Sequence, residues 1–366
     1  MSNDTSNDAS YERFRFTWSD LPMLTAELPG ILGQIRLSPE DFQVTEIPLY
    51  LPQGSGSHSY VYVEKVNLTT RDLVVALRDA GVEEKLIGVA GLKDKHARSR
   101  QWLSVPRRFE DSLKALETME GVTVLERSRH KNKLAIGHLQ GNHFKIHVRE
   151  TAADAEAKAK AILEKLNSLG VPNYFGPQRF GRFGGNAIDG FKVSQGENVV
   201  GSKQLKRFFL SSLQSMLVNH MLKLRLERNL YDKVIIGDWA KKHDTGGVFE
   251  VKDAEVEMPR ALRGDISPTF PLYGRKVPIS NAQAGSFERE VLEHFGVSWH
   301  SFNVRKGARR ISRIFLKDTA VESSPEGGLW LSFALPKGAF ATSVLREIMK
   351  TDVDAPLDSE RQDDEE

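Results

Sequence analysis

Between Ser59 and Ala80 the hydrophobic period of the chain changes from two to 3.6, which limits the fold more than any other feature of the sequence. Ser59–Lys65 (SYVYVEK) alternates aromatic and β-branched residues as a strand with one buried face does. From Thr69 or Thr70, either of which can cap a helix, Leu73, Val74, Leu77 and Ala80 fall on one helical face, and Gly81 supplies a left-handed stop. A βα unit is therefore expected. Gly33–Glu46 (GQIRLSPEDFQVTE) reads as a strand, a Ser-Pro turn and a second strand. Leu86–Ala90, Leu134–Ile136 and Phe144–Val148 read as further strands, with GHLQGN as a hairpin or bulged loop between the last two. Thr151–Leu169 reads as a helix, started by Thr151 and Asp154 and ended by Gly170. Beyond it, NYFGPQRFGRFGGNAIDG has no clear period, and a new domain is expected to begin there. Leu205–Arg228 and Phe287–Phe295 are helical in pattern, Val248–Val256 and ISPTFPLYGR suit strands and loops, Leu329–Leu335 is a strand, and Ser343–Met349 closes as a short helix.

At 366 residues the chain has room for about two domains, at roughly 150 residues each. It has no cysteine, which excludes disulfides, cysteine–metal sites and thiol nucleophiles. The first residues, MSNDTSNDASYERF, are polar and acidic, unlike a signal peptide, and no run approaches eighteen apolar residues, so a cytoplasmic protein with no membrane contact is expected. The formal net charge of +2 conceals an acidic end: from Asp352 onward eight acidic residues stand against one Arg, leaving 50 basic against 41 acidic in the rest. A basic body suits a polyanion such as nucleic acid.

No phosphate loop, HExxH or GxSxG motif is present, and the ten histidines show no ligand spacing, so no metal is expected. What remains is carboxylate chemistry in a basic, aromatic setting. Asp94 lies between Lys93 and Lys95 on a Gly-initiated turn, with His96, Arg98 and Arg100 behind it; such charge holds a carboxylate ionised and attracts phosphates. An Asp in this position also serves as a turn former or helix cap. Arg179 and Arg182, among Tyr174, Phe175, Phe180 and Phe183, form the cationic and aromatic mixture that stacks on unpaired bases, or equally a packed seam between domains. Phe42, Phe144 and Phe340 have core packing as their alternative, and Asn142 has turn geometry.

The segments GQIRLSPEDFQVTE, AGLKDKHARSRQW, RHKNKLAIGHLQGNHFKIHVRE, GVPNYFGPQRFG and LPKGAFATSVLREI, in that order, resemble the signature blocks of the TruD family of tRNA pseudouridine synthases, and they run from residue 33 to about 349. The resemblance implies isomerisation of uridine 13 in the D arm of tRNA to pseudouridine, without metal or cofactor. Asp94 matches the family's essential Asp; whether it attacks sugar or base, or assists elimination, stays open. Arg36 matches a basic position that would pair with Asp94. Phe42, Asn142 and Phe340 match positions around the target uridine, and Phe144 matches the aromatic that stacks on the flipped base. Thr342 and Ser343 suit phosphate or sugar contacts, or a helix cap.

The resemblance further implies an α+β fold: a pseudouridine synthase fold with a mixed, mainly antiparallel central sheet and an inserted TruD-specific α/β domain. The expected division is a disordered tail over 1–20, a catalytic domain over 21–172, the insertion over 173–317, a return segment over 318–350 and an acidic disordered tail over 351–366. tRNA is the expected partner, with a monomer and no obligate protein partner. Two departures from the family pattern, Gly54-Ser55-Gly56-Ser57-His58 where relatives often have GEGEH and Val218 where they often have Phe, touch a loop contact and domain packing. Two other classes compete: an RNA-binding module without catalysis, and a carboxylate–metal nuclease, which needs further acidic ligands near Asp94.

Overall fold

The computed structural model describes residues 11–181, 183–351 and 353. In chain order these form β1 (Phe42–Pro48), β2 (His58–Val66), α1 (Thr70–Asp79), β3 (Gly88–Val89), β4 (Arg98–Pro106), α2 (Lys114–Glu117), β5 (Val122–His130), β6 (Leu139–Val148), α3 (Ala155–Leu169), β7 (Val171–Pro172), α4 (Asn186–Ser194) and α5 (Lys203–Glu227). Then follow β8 (Trp239–Lys242), β9 (Val248–Glu250), α6 (Ala254–Leu262), β10 (Ile266–Leu272), α7 (Ala282–Phe295), β11 (Ala308–Ile311), β12 (Arg313–Ile314), β13 (Lys317–Ser323), β14 (Leu329–Pro336) and α8 (Ala341–Met349). The chain divides into two compact units.

The first unit comprises Pro29–Leu163, Leu316–Ala341 and the chain from Ile348. Its sheet has eight strands in the order β13-β14-β6-β1-β4-β2-β5, with β3 added to β4. Only β1 and β4 run parallel; the other pairs are antiparallel, so the sheet is mixed and mainly antiparallel. Helix α1 begins as the sequence indicates, with Thr69 as the N-cap in a capping box with Asp72. Its Leu73, Val74 and Leu77 pack on Val61, Val63, Leu103 and Val105 of the sheet. Gly81 takes the left-handed conformation at φ +93°.

Several local readings change in the structure. Leu134–Ile136 is irregular chain running into a turn at Ile136-Gly137, not a strand, whereas β6 starts at Leu139 and runs through the expected hairpin loop. Pairing with β1 on one side and β14 on the other outweighs the turn tendency of Gly141-Asn142. The central strand β4 escapes the hydrophobic pattern because its inward residues Ser99 and Gln101 are polar, though fully buried. Strands β5 and β13, at the two edges of the sheet, have no continuous apolar face to signal them. Helix α6 carries Pro259 inside it.

The second unit comprises the described chain up to Leu28, Glu164–Phe315 and Thr342–Glu347. Its four-stranded sheet, β11-β10-β8-β9, is antiparallel, and β7 pairs with β12. Long α5 packs beside α4, α7 and β10. The expected tail over 1–20 needs correction within its described part. Residues 12–14 and 18–20 form 3-10 turns, and Phe14, Phe16 and Trp18 are buried. Phe14 stacks on Phe191 and Phe16 on Phe180, each at 4.3 Å, and Arg346 donates to the Trp18 carbonyl at 2.7 Å. Burying three large aromatic rings is worth several kcal/mol, at about 1.5–3 each, which offsets the entropy of ordering this segment. Residues 21–28 and 164–172, expected in the catalytic domain, also belong to this unit. The expected acidic tail over 351–366 lies, but for residues 351 and 353, outside the described residues.

Candidate active site

Strand alternation and register collect most of the expected residues on the first unit's sheet. Phe42, Val44 and Glu46 point to one side of β1; directly across on β6 stand Ile146, Phe144 and Asn142, and across on β14 stand Leu331, Phe333 and Leu335. The ring of Phe144 meets Phe42 edge-on at 6.2 Å and lies 5.6 Å from Phe333. The guanidinium carbon of Arg36 lies 4.4 Å from the centre of the Phe42 ring. Arg36 is in the left-handed region at φ +63°, an uncommon conformation for a residue with a side chain. Beside Phe42, Asp41 ends a short 3-10 turn, and its carboxylate accepts from the amide of the N-cap, Ser38, at 2.9 Å. Burial pushes the Asp41 carboxyl up, but hydrogen bonds from Arg149, the Ser38 backbone and His147 together hold it below the usual range.

The loop between β3 and β4 carries Asp94, and three anchors fix it. The Lys93 ammonium donates to Glu46 Oε2 at 2.9 Å in a pair whose side chains are 4% and 1% exposed. The Lys93 amide donates to Thr70 Oγ1 at 2.8 Å, and that hydroxyl donates to Gln101 Oε1 at 2.8 Å. The Lys65 ammonium donates to the Asp94 carbonyl at 2.8 Å and also to the Leu68 carbonyl. Lys65 is fully buried, and burial draws its pKa down to about 8 against the opposing pull of Asp94. Because Glu46 is the register partner of Asn142, the loop is tied to the strand pair that carries Asn142 and Phe144.

The anchors leave the Asp94 side chain exposed. Among the described residues its carboxylate has no hydrogen bond or ion pair, so the expected pair with Arg36 is not formed; Arg36 lies on Phe42 instead. Among the described residues Asn142 Oδ1, Ser99 Oγ and Gln101 Nε2 are buried without a partner, all on the face that carries Phe144. Buried polar atoms left this way are unusual and fit groups reserved for a ligand. Asn142 is in β6, not in a turn. Phe340 is half-buried just beyond β14, and Lys95 is exposed.

Two expected RNA contacts look different in the structure. Lys93 is buried against Glu46, so its charge is spent inside the protein and is not available to a phosphate. In the second unit the guanidinium of Arg179 lies 5.4 Å from the Phe175 ring centre and 5.9 Å from that of Phe208, the packed arrangement that was its alternative. Burial, and the nearby charge of Arg305, lower its pKa. Arg182 lies outside the described residues. Thr342 and Ser343 are buried in the first turn of α8. The sequence reading missed Lys65 and Glu46, although both carried a signal: each is a charged residue in phase with an apolar face, Lys65 with Val61 and Val63, Glu46 with Phe42 and Val44. Among the described residues no group of three or more His, Asp or Glu side chains is arranged to hold a metal ion, and no helix is long and apolar enough to cross a membrane.

A family model described as tRNA pseudouridine synthase D (TruD) matches residues 19–188 and 198–348. A protein of Thermus thermophilus described as tRNA pseudouridine synthase D is 51% identical over 340 residues, covering 93% of this chain and 95% of the relative. One from Anaeromyxobacter dehalogenans with the same description is 41% identical over 349 residues, covering 92% and 99%. The crystal structure of the putative tRNA pseudouridine synthase D of Methanosarcina mazei superposes with a TM-score of 0.73 over 91% of this chain and 97% of that one; at 23% identity this likeness concerns the fold.

Proposed function

The chain belongs to the tRNA pseudouridine synthase D (TruD) family, and on that footing we propose that it converts uridine 13 in the D arm of tRNA to pseudouridine, with Asp94 as nucleophile and no cofactor. Its activity is that of a tRNA pseudouridine synthase, an isomerase that modifies tRNA. The isomerisation breaks the N–C bond between base and ribose and forms a C–C bond from C5 of the same base to the same sugar carbon. A proton leaves C5 and one is taken up at the released nitrogen, so no electrons are exchanged with a cofactor.

The observation that carries the role of Asp94 is the contrast within its loop: Lys93 and the Asp94 carbonyl are fastened by buried partners, whereas the carboxylate is exposed and unbonded. A group held this way keeps its position without spending its charge inside the protein. Phe144 and Phe42 would receive the extruded base and offset the few kcal/mol lost on unstacking it. Asn142 would bond the base through its unpartnered oxygen, and Phe340 would close the site. Arg36 would turn from Phe42 toward Asp94 or a phosphate once RNA is bound. Lys95 supplies an exposed cation beside the carboxylate. The protein would act in the cytoplasm as a monomer without an obligate protein partner.

Tritium release from 5-labelled uridine in unmodified tRNA tests the reading. Asp94→Asn should abolish release and leave tRNA binding intact, and pseudouridine mapping should place the wild-type product at position 13. Turnover by Asp94→Asn would remove the nucleophile assignment; a product at another position would remove the site assignment.

A further inference from the structure

In the second unit, residues 266–287 and 294–315 contain no Asp or Glu, yet hold two and five Lys or Arg respectively. The structure sorts these cations by what they touch. Arg309 bonds Glu288 at 3.0 Å, Arg310 bonds Asn173 and lies 3.8 Å from the Phe175 ring centre, and Arg313 is buried against Ser267 and the carbonyls of Leu169 and Ile266. These three hold the fold together.

Arg275, Lys276, Arg305 and Lys306 do no such work. Among the described residues none has an acidic partner within ion-pair distance, and Arg275, Lys276 and Lys306 are exposed. The backbone holds them side by side. Beyond the β10–β11 ladder the strands pass so close that a Cβ on Gly274 would lie 2.5 Å from the Gly307 nitrogen. The Arg275 amide then donates to the Arg305 carbonyl and the Lys276 amide to the Lys306 carbonyl, each at 3.1 Å. Four cations on two adjacent backbones repel one another, and a fifth, Arg179, is near enough to feel Arg305. Surfaces normally intersperse both signs of charge. A run kept free of acids and locked by backbone bonds is arranged for a polyanion.

We infer that the end of the paired strands β10 and β11, with Arg275, Lys276, Arg305 and Lys306, is a phosphate-binding surface that tracks the RNA backbone, carried by a different unit from the base-handling residues. The inference rests on reading the chain as a tRNA enzyme. Contacts of this kind fix register and affinity without reading sequence.

The test is the salt dependence of tRNA binding, measured as Kd against KCl concentration for the wild type and for Arg275→Gln/Lys276→Gln/Lys306→Gln. Losing three phosphate contacts should flatten the log–log slope by about two and weaken binding roughly tenfold or more at 0.1 M salt, with KM for tRNA rising in step. The charge-keeping variant Arg275→Lys/Lys276→Arg/Lys306→Arg should retain the wild-type slope, and Lys306→Gln alone should lower it by about 0.7–0.9. An unchanged slope in the triple Gln variant, or the same flattening in the charge-keeping one, overturns the inference. So does a triple Gln variant that binds tRNA as before but no longer binds phosphatidylserine vesicles that the wild type holds. The outcome is independent of Asp94: Asp94→Asn should bind with the full slope whether or not it turns over.

Discussion

Lys93 is 7% exposed and bonded to Glu46, while Asp94 beside it is exposed with an unbonded carboxylate; two adjacent charged residues thus have opposite duties, one structural and one chemical. Removing one member of a buried pair leaves the other charged and dry, so Lys93→Met should lower stability by about 3–5 kcal/mol, read from urea unfolding. Lys93→Met/Glu46→Gln should recover much of that loss, because neither charge is then stranded; a double variant no more stable than the single would contradict this account of the pair. Lys65 offers a pH readout. It is charged below about pH 8 and neutral above, and a charged donor holds a carbonyl about twice as strongly as a neutral one. Turnover should therefore decline as pH rises through about 8, and Lys65→Arg should move the decline to higher pH; a profile indifferent to this exchange would show that Lys65 does not position the Asp94 loop. Asn142 and Phe144 were legible in the sequence as candidates through family resemblance, but only pairing with β1 and β14 sets them on the same side of the sheet as Phe42.

At the scale of elements, the site depends on β6, which is bonded on both edges and bears Asn142 and Phe144 two residues apart. Gly141 permits that double pairing, since a Cβ there would stand 1.9 Å from the Leu335 carbonyl oxygen. Gly141→Ala should force β6 away from β14 next to Asn142, at a cost on the order of 3 kcal/mol, with faster amide exchange in both strands. Unchanged exchange would mean the strands accommodate the methyl elsewhere. The sequence showed β2, α1, α5 and β14 because their apolar residues keep one period. It hid β4, whose inward face is polar where it meets the site, and the edge strands β5 and β13, which have less to bury. The same polar inward face that concealed β4 supplies Ser99 and Gln101 beside the candidate site.

For the whole molecule, two half-buried histidines of the second unit, His220 and His243, set an acid limit. Burial first, then the charges of His294 and Lys223, lower His220 to about 4; burial, then Arg313 and Lys241, do the same for His243. The unfolded chain, with ordinary values near 6.5, binds more protons than the folded one between about 4 and 6.5. Stability should hold above about pH 6.5 and fall as pH drops from there toward 4, and His220→Gln/His243→Gln should flatten that decline in urea midpoints measured at about pH 7.5 and 5. A decline as steep in the variant would assign it to other groups. By itself the sequence determined which short-range elements form and which chemistry is on hand, because period, caps and a carboxylate among cations are properties of neighbouring residues. The five ordered blocks added the family. Tertiary structure alone decided that Lys93 points inward, that Arg36 lies on Phe42, that Phe14, Phe16 and Trp18 belong to a core and that four cations meet at the end of the β10–β11 strand pair. Each of these depends on partners from 6 to 328 residues away in the chain, and burial and Coulomb energy follow distance in space, which local pattern does not encode.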